Sequence, residues 1–489
     1  MSRSAVAVAA ALAAALAGAC GGGDARAPAV ASSTLQATLV DPDGDGALAR
    51  GPGEPLVDRT DVGGGGGRAG AVLTTLVQIT DAHVRDEESP ARVPFLDRLG
   101  GVFQSTFRPH EGLSPQVLAA AVRAVNRFGP DGVLVTGDLI DSNAEAELDQ
   151  ALAVLDGGTV DPDTGAPGYD GVQAADDPDP LFYRPDLDAP RHPGLLAAAA
   201  RPFRSPGLTA PWYPALGNHD LLVQGETPPT ARIDAIATGT RMVVGLDPDL
   251  RPAEGVDTAQ AVDALLAEGA PGRSLEVPAD PARRHLRPAE VIARLTGRER
   301  SPAAVRGAAG RPTFDYAFDA RGGVRVLVLD TVDRRGGSRG LLRGAQLAWL
   351  RNELERAAGR PLVLFSHNPL DSTDGGQEAL AALDATPGVV AAIAGNAHRN
   401  RIEPRRTAAG GYWQIGTSSL ADHPQQVRAL RLRRSAGGYA LETWMLDHDG
   451  GGPAGPAREL AFLDAQGGRP QGFAGAREDR NARLFVPAS

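Results

Sequence analysis

Five short segments of this chain carry residues able to do chemistry, in a fixed order: Asp81-Ala82-His83, Gly137-Asp138, Gly217-Asn218-His219-Asp220, Ser366-His367 and Gly395-Asn396-Ala397-His398. Together they supply His, Asp and Asn without cysteine, the ligand set that hard or borderline divalent metals prefer. Asp81 and His83 stand two residues apart, so at an extended strand end they would project the same way and grip one ion. Asp138 has two carboxylate oxygens and can bridge that ion to a second. Asn218 offers a neutral amide oxygen, and His367 and His398 offer imidazoles. Two divalent ions roughly 4 Å apart hold both the attacking and the departing oxygen of an in-line displacement, and they lower the pKa of a bridging water toward neutrality. His219, beside Asn218, need not be a ligand. It is placed to stabilise phosphoryl oxygens or protonate a leaving alkoxide, with Asp220 fixing its tautomer. No nucleophilic Ser or Cys is required.

Taken singly these signals are weak, because a DxH or a Gly-Asp arises by chance in many chains and a lone His is more often structural. Gly217 to Asp220 after Trp212-Tyr213-Pro214-Ala215-Leu216 is stronger, and the ordered set of five is stronger still.

The elements that must position these residues are legible as apolar runs. Val72 to Ile79 stops at the first motif and Gly132 to Thr136 delivers Gly137-Asp138. Leu362 to Phe365 leads into Ser366-His367, and Val389 to Ala394 leads into the last motif. Between the first two runs, Ser114-Pro115 predicts a helix start with Ser114 as N-cap, an apolar stripe through Val117, Leu118, Ala121, Val122, Val125 and Phe128, and a stop at Gly129-Pro130. Strand, helix, strand with a motif at each strand end predicts an α/β sheet with ligands at the carboxyl edge. Further strands are expected over Phe314 to Phe318 and Val324 to Leu329, and a helix over Leu341 to Ala357. Tyr412 to Ile415 and Ala429 to Leu432 read as strands of a second sheet. Inserts at about 156–206 and 221–310 interrupt this rhythm, the second with expected helices over Ala259 to Leu266 and Pro288 to Leu295. Loops this long serve as lids or substrate walls, or as structural padding, and the sequence favours neither.

The five motifs resemble those of the calcineurin-like metallophosphoesterases, over roughly residues 72–450. Gln78-Ile79-Thr80-Asp81-Ala82-His83 is similar to the opening motif of the cyclic-nucleotide phosphodiesterase branch, and the helix bearing Gln346 and Trp349-Leu350 also fits. Ser89-Pro90-Ala91-Arg92, Phe107-Arg108-Pro109 and His423-Pro424-Gln425-Gln426 resemble a subgroup of secreted bacterial members with long inserts. The resemblance implies a four-layer αββα sandwich of two mixed β-sheets and an enzyme hydrolysing small phosphorylated substrates, diesters or monoesters, with two divalent ions such as Mn, Zn or Fe. Metal one would take Asp81, His83, Asp138 and His398. Metal two would take Asp138, Asn218, His367 and the first position of a Gly-His-x-His motif, which here is Asn396. An amide oxygen binds more weakly than imidazole, so the second ion should be held less tightly or be a harder one, Mn²⁺ or Mg²⁺. Asn396 also leaves open a rival of another class, a non-catalytic lipoprotein that uses the scaffold for binding. An extracellular nuclease or nucleotidase is a further enzyme reading.

Composition bounds these readings. With 489 residues and 42% apolar content the chain can bury a large core, and its 61 Gly and 39 Pro cluster between the apolar runs. Lysine is absent, so all 49 basic residues are arginine. A net charge of −11 argues against a broad polymeric nucleic-acid face, which must neutralise phosphates. The Arg-rich patches at Arg401 to Arg406 and Arg428 to Arg434 read as solvated edges and turns. Arg3, an apolar stretch from Ala5 to Leu16, and Ala17-Gly18-Ala19-Cys20 read as a secretory signal; a membrane span needs about 20 apolar residues. Cys20, the only cysteine, stands where a bacterial lipoprotein is cleaved and acylated, although Leu16 lies one position further away than usual. An ordinary cleavage after Ala19 is the alternative. Either way the expected location is extracytoplasmic, as a lipid-anchored protein on the outer face of the cytoplasmic membrane or as a secreted one. A single cysteine allows no disulfide within the monomer. The expected organisation is a signal over 1–20, a Gly- and Pro-rich tether over 21–70, a domain over 71–450 and a C-terminal extension over 451–489. Asp41 to Gly46 lacks the spacing and closing Glu of a calcium loop and reads as a turn-rich linker.

Overall fold

Aliphatic and β-branched runs extend into two sheets of seven and six strands. In chain order the strands are β1 (Val57–Arg59), β2 (Val72–Ile79), β3 (Gly132–Thr136), β4 (Trp212–Ala215), β5 (Tyr316–Ala320), β6 (Val324–Leu329), β7 (Leu362–Ser366), β8 (Val389–Ala394), β9 (Arg401–Arg405), β10 (Tyr412–Gly416), β11 (Gln426–Ser435), β12 (Gly438–Asp447) and β13 (Ala482–Pro487). The computed structural model describes residues 33–63, 69–100, 103, 105–245, 272–357, 359–468 and 472–487. The signal segment with Cys20 and the helix expected over 259–266 lie outside them. Among the described residues no helix is long and apolar enough to cross a membrane.

The seven-stranded sheet runs β1-β13-β12-β11-β2-β3-β4 and the six-stranded sheet β5-β6-β7-β8-β10-β9. The strands β2, β3 and β4 are mutually parallel, as are β6, β7, β8 and β10. Each parallel run therefore presents several carboxyl ends along one edge. Helices α1 (Ser114–Phe128), α2 (Glu145–Asp156), α3 (Gly344–Arg356), α4 (Gly376–Asp384) and α5 (Ala454–Leu463) flank the sheets.

Alternation along the strands assigns the layers. On β6, Val326 and Val328 join the core that the two sheets share with Val77, Val133 and Val135. Leu327 and Leu329 point the other way, to Leu350 and Leu354 of α3 and Leu380 and Leu383 of α4. A register slip of one residue would exchange the two sets, so the side-chain pattern itself holds the register. On the far side α1 packs against β12, α2 and α5. The expected order of helix, sheet, sheet, helix is what the chain adopts.

Several expectations need correction. Tyr412 to Ile415 and Ala429 to Leu432 do not share a sheet: β10 lies parallel to β8, whereas β11 lies antiparallel to β2 in the other sheet. Boundaries at 71 and 450 would cut a sheet, because β13 pairs with β12 and β1 pairs with β13. Ser114 is the first helical residue rather than a cap, and its hydroxyl instead accepts the Arg85 N–H at 3.0 Å. Arg428 is not solvated. It is 0% exposed, its guanidinium is surrounded by neutral oxygens of Thr417, Thr443, Asn400 and Gly416, and burial pushes its pKa down to about 9.

The first insert builds a satellite core. Its Val172 and Phe182 pack with Val93, Phe95, Leu96, Phe107 and Met242, and Phe182 meets Phe107 edge-on at 5.2 Å between ring centroids. That cluster joins the loop between β2 and α1 to residues of both inserts.

Candidate metal centre

Asp81, Asp138 and Asn218 follow the carboxyl ends of β2, β3 and β4 by two or three residues, and His367 and Asn396 follow β7 and β8 on the facing sheet. The turn that follows each strand is tight. Asp81 (φ 51°), His83 (φ 43°), Asp138 (φ 48°), Asn396 (φ 61°) and His398 (φ 52°) all adopt left-handed backbone. Asp, Asn and His are the non-glycine residues that tolerate this region best, and each instance costs about 1–3 kcal/mol unless its surroundings enforce it. Asp81 and His83 are thus not alternate residues of an extended strand, as their spacing suggested. They converge because both backbones turn. The preceding glycines allow the two sheet edges to approach: a Cβ on Gly137 would lie 2.6 Å from His367 Nδ1, and one on Gly395 would lie 2.1 Å from Thr80 Oγ1.

Three overlapping groups of ligand atoms result, each with all atoms within 4.8 Å of one another: Asp81, His83 and His398; His83, Asp138 and His219; and Asp81, Asp138 and His367. Asn218 joins through its Oδ1, 3.2 Å from His367 Nε2, and Asp138 Oδ2 approaches the same nitrogen at 3.2 Å. His398 Nε2 lies 3.3 Å from Asp81 Oδ1, and His83 Nε2 lies 3.7 Å from Asp138 Oδ2.

Each histidine is fixed from behind through Nδ1. His83 Nδ1 faces Asp141 Oδ1 at 3.0 Å, His367 Nδ1 faces the Thr136 carbonyl at 3.0 Å, and His219 Nδ1 faces the Asp141 carbonyl at 2.6 Å. His398 Nδ1 bonds Asp422. With Nδ1–H donating outward, every Nε2 turns its lone pair into the cluster, the arrangement found behind metal-bound imidazoles. His83 Nε2 is fully buried and has no hydrogen-bond partner among the described residues.

The electrostatics state the same demand. Burial works against charging His398, yet Asp81 and Asp422 push its pKa up to about 10. Burial likewise opposes His367, and Asp138 and Asp81 raise it to about 9. Burial and His219 push His83 down to about 4. Asp138 and Asp81 stay below the ordinary carboxylate range despite burial, held there chiefly by His367 and His398 respectively. Without an ion, the cluster draws protons onto two imidazoles to neutralise its converging oxygens. The residues present therefore fit a divalent cation: Asp81, His83, Asp138 and His398 on one side, and Asp138, Asn218 and His367 on the other.

Two predicted residues are placed differently. Asp220 does not touch the His219 ring; its carboxylate accepts the backbone N–H groups of Gly217 at 2.8 Å and Leu139 at 2.9 Å. It locks the turns that carry Asp138 and Asn218, and burial beside Asp138 raises its pKa to about 7. Asp141, through its carbonyl, is what orients His219. Asn396 meets the cluster with its backbone N–H, 3.1 Å from Asp81 Oδ1, and its side-chain amide makes no hydrogen bond to a described residue. Its side chain lines a cleft of about 290 Å³ together with His83, Asp138, Asn218, His219 and His398, the rim being formed by Ser105, Glu226, Ser338, Asp464 and Phe473.

Sequence reasoning missed the residues behind the ligands. Asp141 follows Asp138 by three, and Asp422 precedes the quoted His423-Pro424; neither spacing signals metal support. Arg108, quoted only as part of a resemblance, binds Asp422 at 2.5 Å.

No family model matches the chain, and no curated protein matches it. Solved structures give faint similarities. A dimetal phosphatase from Danio rerio shares 13% identity over 77% of this chain and 97% of its own, with a TM-score of 0.40. GAP50, an anchor in the inner membrane complex of Plasmodium, shares 9% over 77% and 85%, with a TM-score of 0.31. The sulfate thiohydrolase SoxB of Thermus thermophilus shares 14% over 81% and 60%, with a TM-score of 0.29.

Proposed function

We propose that this chain is a metal-dependent phosphoester hydrolase of the calcineurin-like metallophosphoesterase type. One observation carries the reading: oxygen and nitrogen lone pairs from both sheet edges converge on a common volume, where among the described residues no side-chain cation other than a protonated histidine meets them. Asp81, His83, Asp138 and His398 would hold one divalent ion, and Asp138, Asn218 and His367 a second. Such ions supply charge neutralisation of the phosphoryl oxygens and an activated water near neutral pH. The chain's own residues do the rest. His219, partly exposed at the cleft wall with Nδ1 held by Asp141, presents Nε2 to a bound ester, where it can donate a hydrogen bond to a phosphoryl oxygen or a proton to the departing alkoxide. Asp138 Oδ1 accepts the His219 backbone N–H at 2.9 Å, which couples ring position to the bridging carboxylate. The small phosphorylated substrate, export and lipid anchoring through Cys20 belong to the same proposal.

A second reading rests on Asn396. Its amide makes no hydrogen bond to a described residue at a position where the resemblance implies an imidazole ligand, as it would in a scaffold kept for binding.

The test is to strip metal from the protein and titrate Mn²⁺, Zn²⁺ and Fe²⁺ while following hydrolysis of bis-p-nitrophenyl phosphate, p-nitrophenyl phosphate and cyclic nucleotides. Two equivalents with metal-dependent turnover support the hydrolase. One equivalent or none, without turnover on any ester, supports the binding protein.

A further inference from the structure

Behind the first half of the centre, two side-chain chains run in parallel. In one, Arg85 Nη2 donates to Asp141 Oδ1 at 2.6 Å, and the same oxygen faces His83 Nδ1 at 3.0 Å. In the other, Arg108 grips Asp422 through Nε at 2.5 Å and Nη2 at 3.2 Å, and Asp422 bonds His398 Nδ1. Both chains begin at one carboxylate. Glu111 Oε2 accepts from Arg85 Nη1 and, at 2.8 Å, from the backbone N–H of Arg108; Oε1 accepts from Arg92 Nη1 at 2.7 Å. Glu111, Arg85, Arg108, Asp141 and Asp422 are all buried, and none but Arg108 and Asp422 reaches the cleft. Burial opposes the charge of Glu111, but Arg92 and Arg85 overcome it and hold the group ionised.

A fully buried carboxylate shared among guanidinium groups is costly unless every partner is present. Here two of the three partners, Arg85 and Arg108, also hold a residue that orients an imidazole, Asp141 and Asp422 respectively. Loss of the Glu111 charge would leave Arg85 balanced by Asp141 alone and would free the turn carrying Arg108. Both changes draw carboxylate density away from His83 and His398.

We propose that Glu111, which touches no ligand, is a positioning residue for both histidines of the first ion. This rests on the metal-centre reading, and the experiment separates the two. Mn²⁺ and Zn²⁺ binding to the metal-stripped full chain is measured by calorimetry for wild type, Glu111→Gln, Arg85→Met and Arg108→Met. Glu353→Gln on α3, which removes a comparably buried charge paired with Arg325 far from the ligands, serves as the comparison. Outer partners of metal-bound histidines are worth roughly 10- to 100-fold in affinity. Glu111→Gln should weaken the tighter ion by at least about tenfold, each arginine variant should weaken it less, and Glu353→Gln should lower thermal stability without changing affinity. Combined with Arg85→Met, Glu111→Gln should show less than additive losses, because both act through Asp141. The Co²⁺-loaded Glu111→Gln protein should show a shifted visible spectrum, which loss of stability alone would not produce. Wild-type affinity in Glu111→Gln, or a loss no larger than in Glu353→Gln, overturns the role. Should Glu111→Gln fail to melt cooperatively, the two arginine variants decide, and unchanged affinity in both overturns it equally. No binding to wild type instead overturns the metal-centre reading beneath it.

Discussion

The two halves of the centre are built from similar ligands and supported very differently. In the first half, His83 and His398 are each backed by a buried aspartate, and each aspartate by a buried arginine. In the second half, His367 is backed by the neutral Thr136 carbonyl, and the Asn218 amide is steadied by the Gly225 carbonyl at 3.1 Å. The Asn396 side chain makes no hydrogen bond to a described residue. A charged partner raises imidazole basicity and fixes the ring, which a peptide carbonyl does more weakly. Similar inner ligands should thus yield a tight first ion and a weaker second one, with Asp138 the carboxylate assigned to both.

The largest effect expected is therefore at Asp138. Asp138→Asn should drop turnover to background and reduce bound metal in both halves, as read by metal analysis beside bis-p-nitrophenyl phosphate hydrolysis. Unchanged metal content would sink the bridging assignment. Loss confined to one half would show that the halves share less than the geometry implies.

His219 tests whether chemistry can be separated from binding. His219→Ala should cost roughly 10²- to 10⁴-fold in kcat and leave both ions in place. Its ring nevertheless lies within reach of His83 and Asp138. If one equivalent of metal disappears with the ring, His219 is a ligand and not an acid.

Part of this architecture was legible in the sequence, for physical reasons. Motifs at the ends of apolar strands mark a carboxyl edge, so Asp81, Asp138, Asn218, His367 and His398 could be named and do converge. Helix α1 and strands β2, β3, β6 and β8 emerge from periodicity because each buries a continuous apolar face. The missed features are those in which a polar side chain serves a partner distant in sequence. Asp220 lies next to His219 in the chain but serves the backbone of Leu139. Asp422 orients a ring 24 positions away. Arg428 lies in a patch that looks solvated and is buried because β11 runs mid-sheet between β2 and β12. Strand β13 falls in the segment the sequence assigns to a C-terminal extension, because pairing partners leave no local trace.

Asn396 is where the comparison can be sharpened by gain. Asn396→His restores an imidazole to the second half without touching the first. Its second ion should bind roughly tenfold more tightly, about 1.4 kcal/mol, while the first is unaffected. Equal affinity before and after would mean that the position does not face the second ion.

The smallest effect is a pH dependence that reports both halves at once. In the metal-free protein His398 and His367 hold protons up to about pH 10 and about pH 9, well above the ordinary 6.5. A histidine whose folded pKa is raised contributes stability that is complete below the unfolded pKa and is lost as pH rises through the folded one. The metal-free protein should therefore lose thermal stability between about pH 6.5 and 10, whereas the loaded protein, in which an ion replaces those protons, should change less over the same range. Near pH 7 each half must release a proton before its imidazole can bind, one from His398 and one from His367. His83, already neutral because its pKa lies at about 4, releases none. Calorimetry in buffers of different ionisation heat should then find close to one proton released per ion, and affinity rising with pH toward about 9. A proton count near zero for the second ion would place it away from His367, and the two halves would no longer be comparable sites.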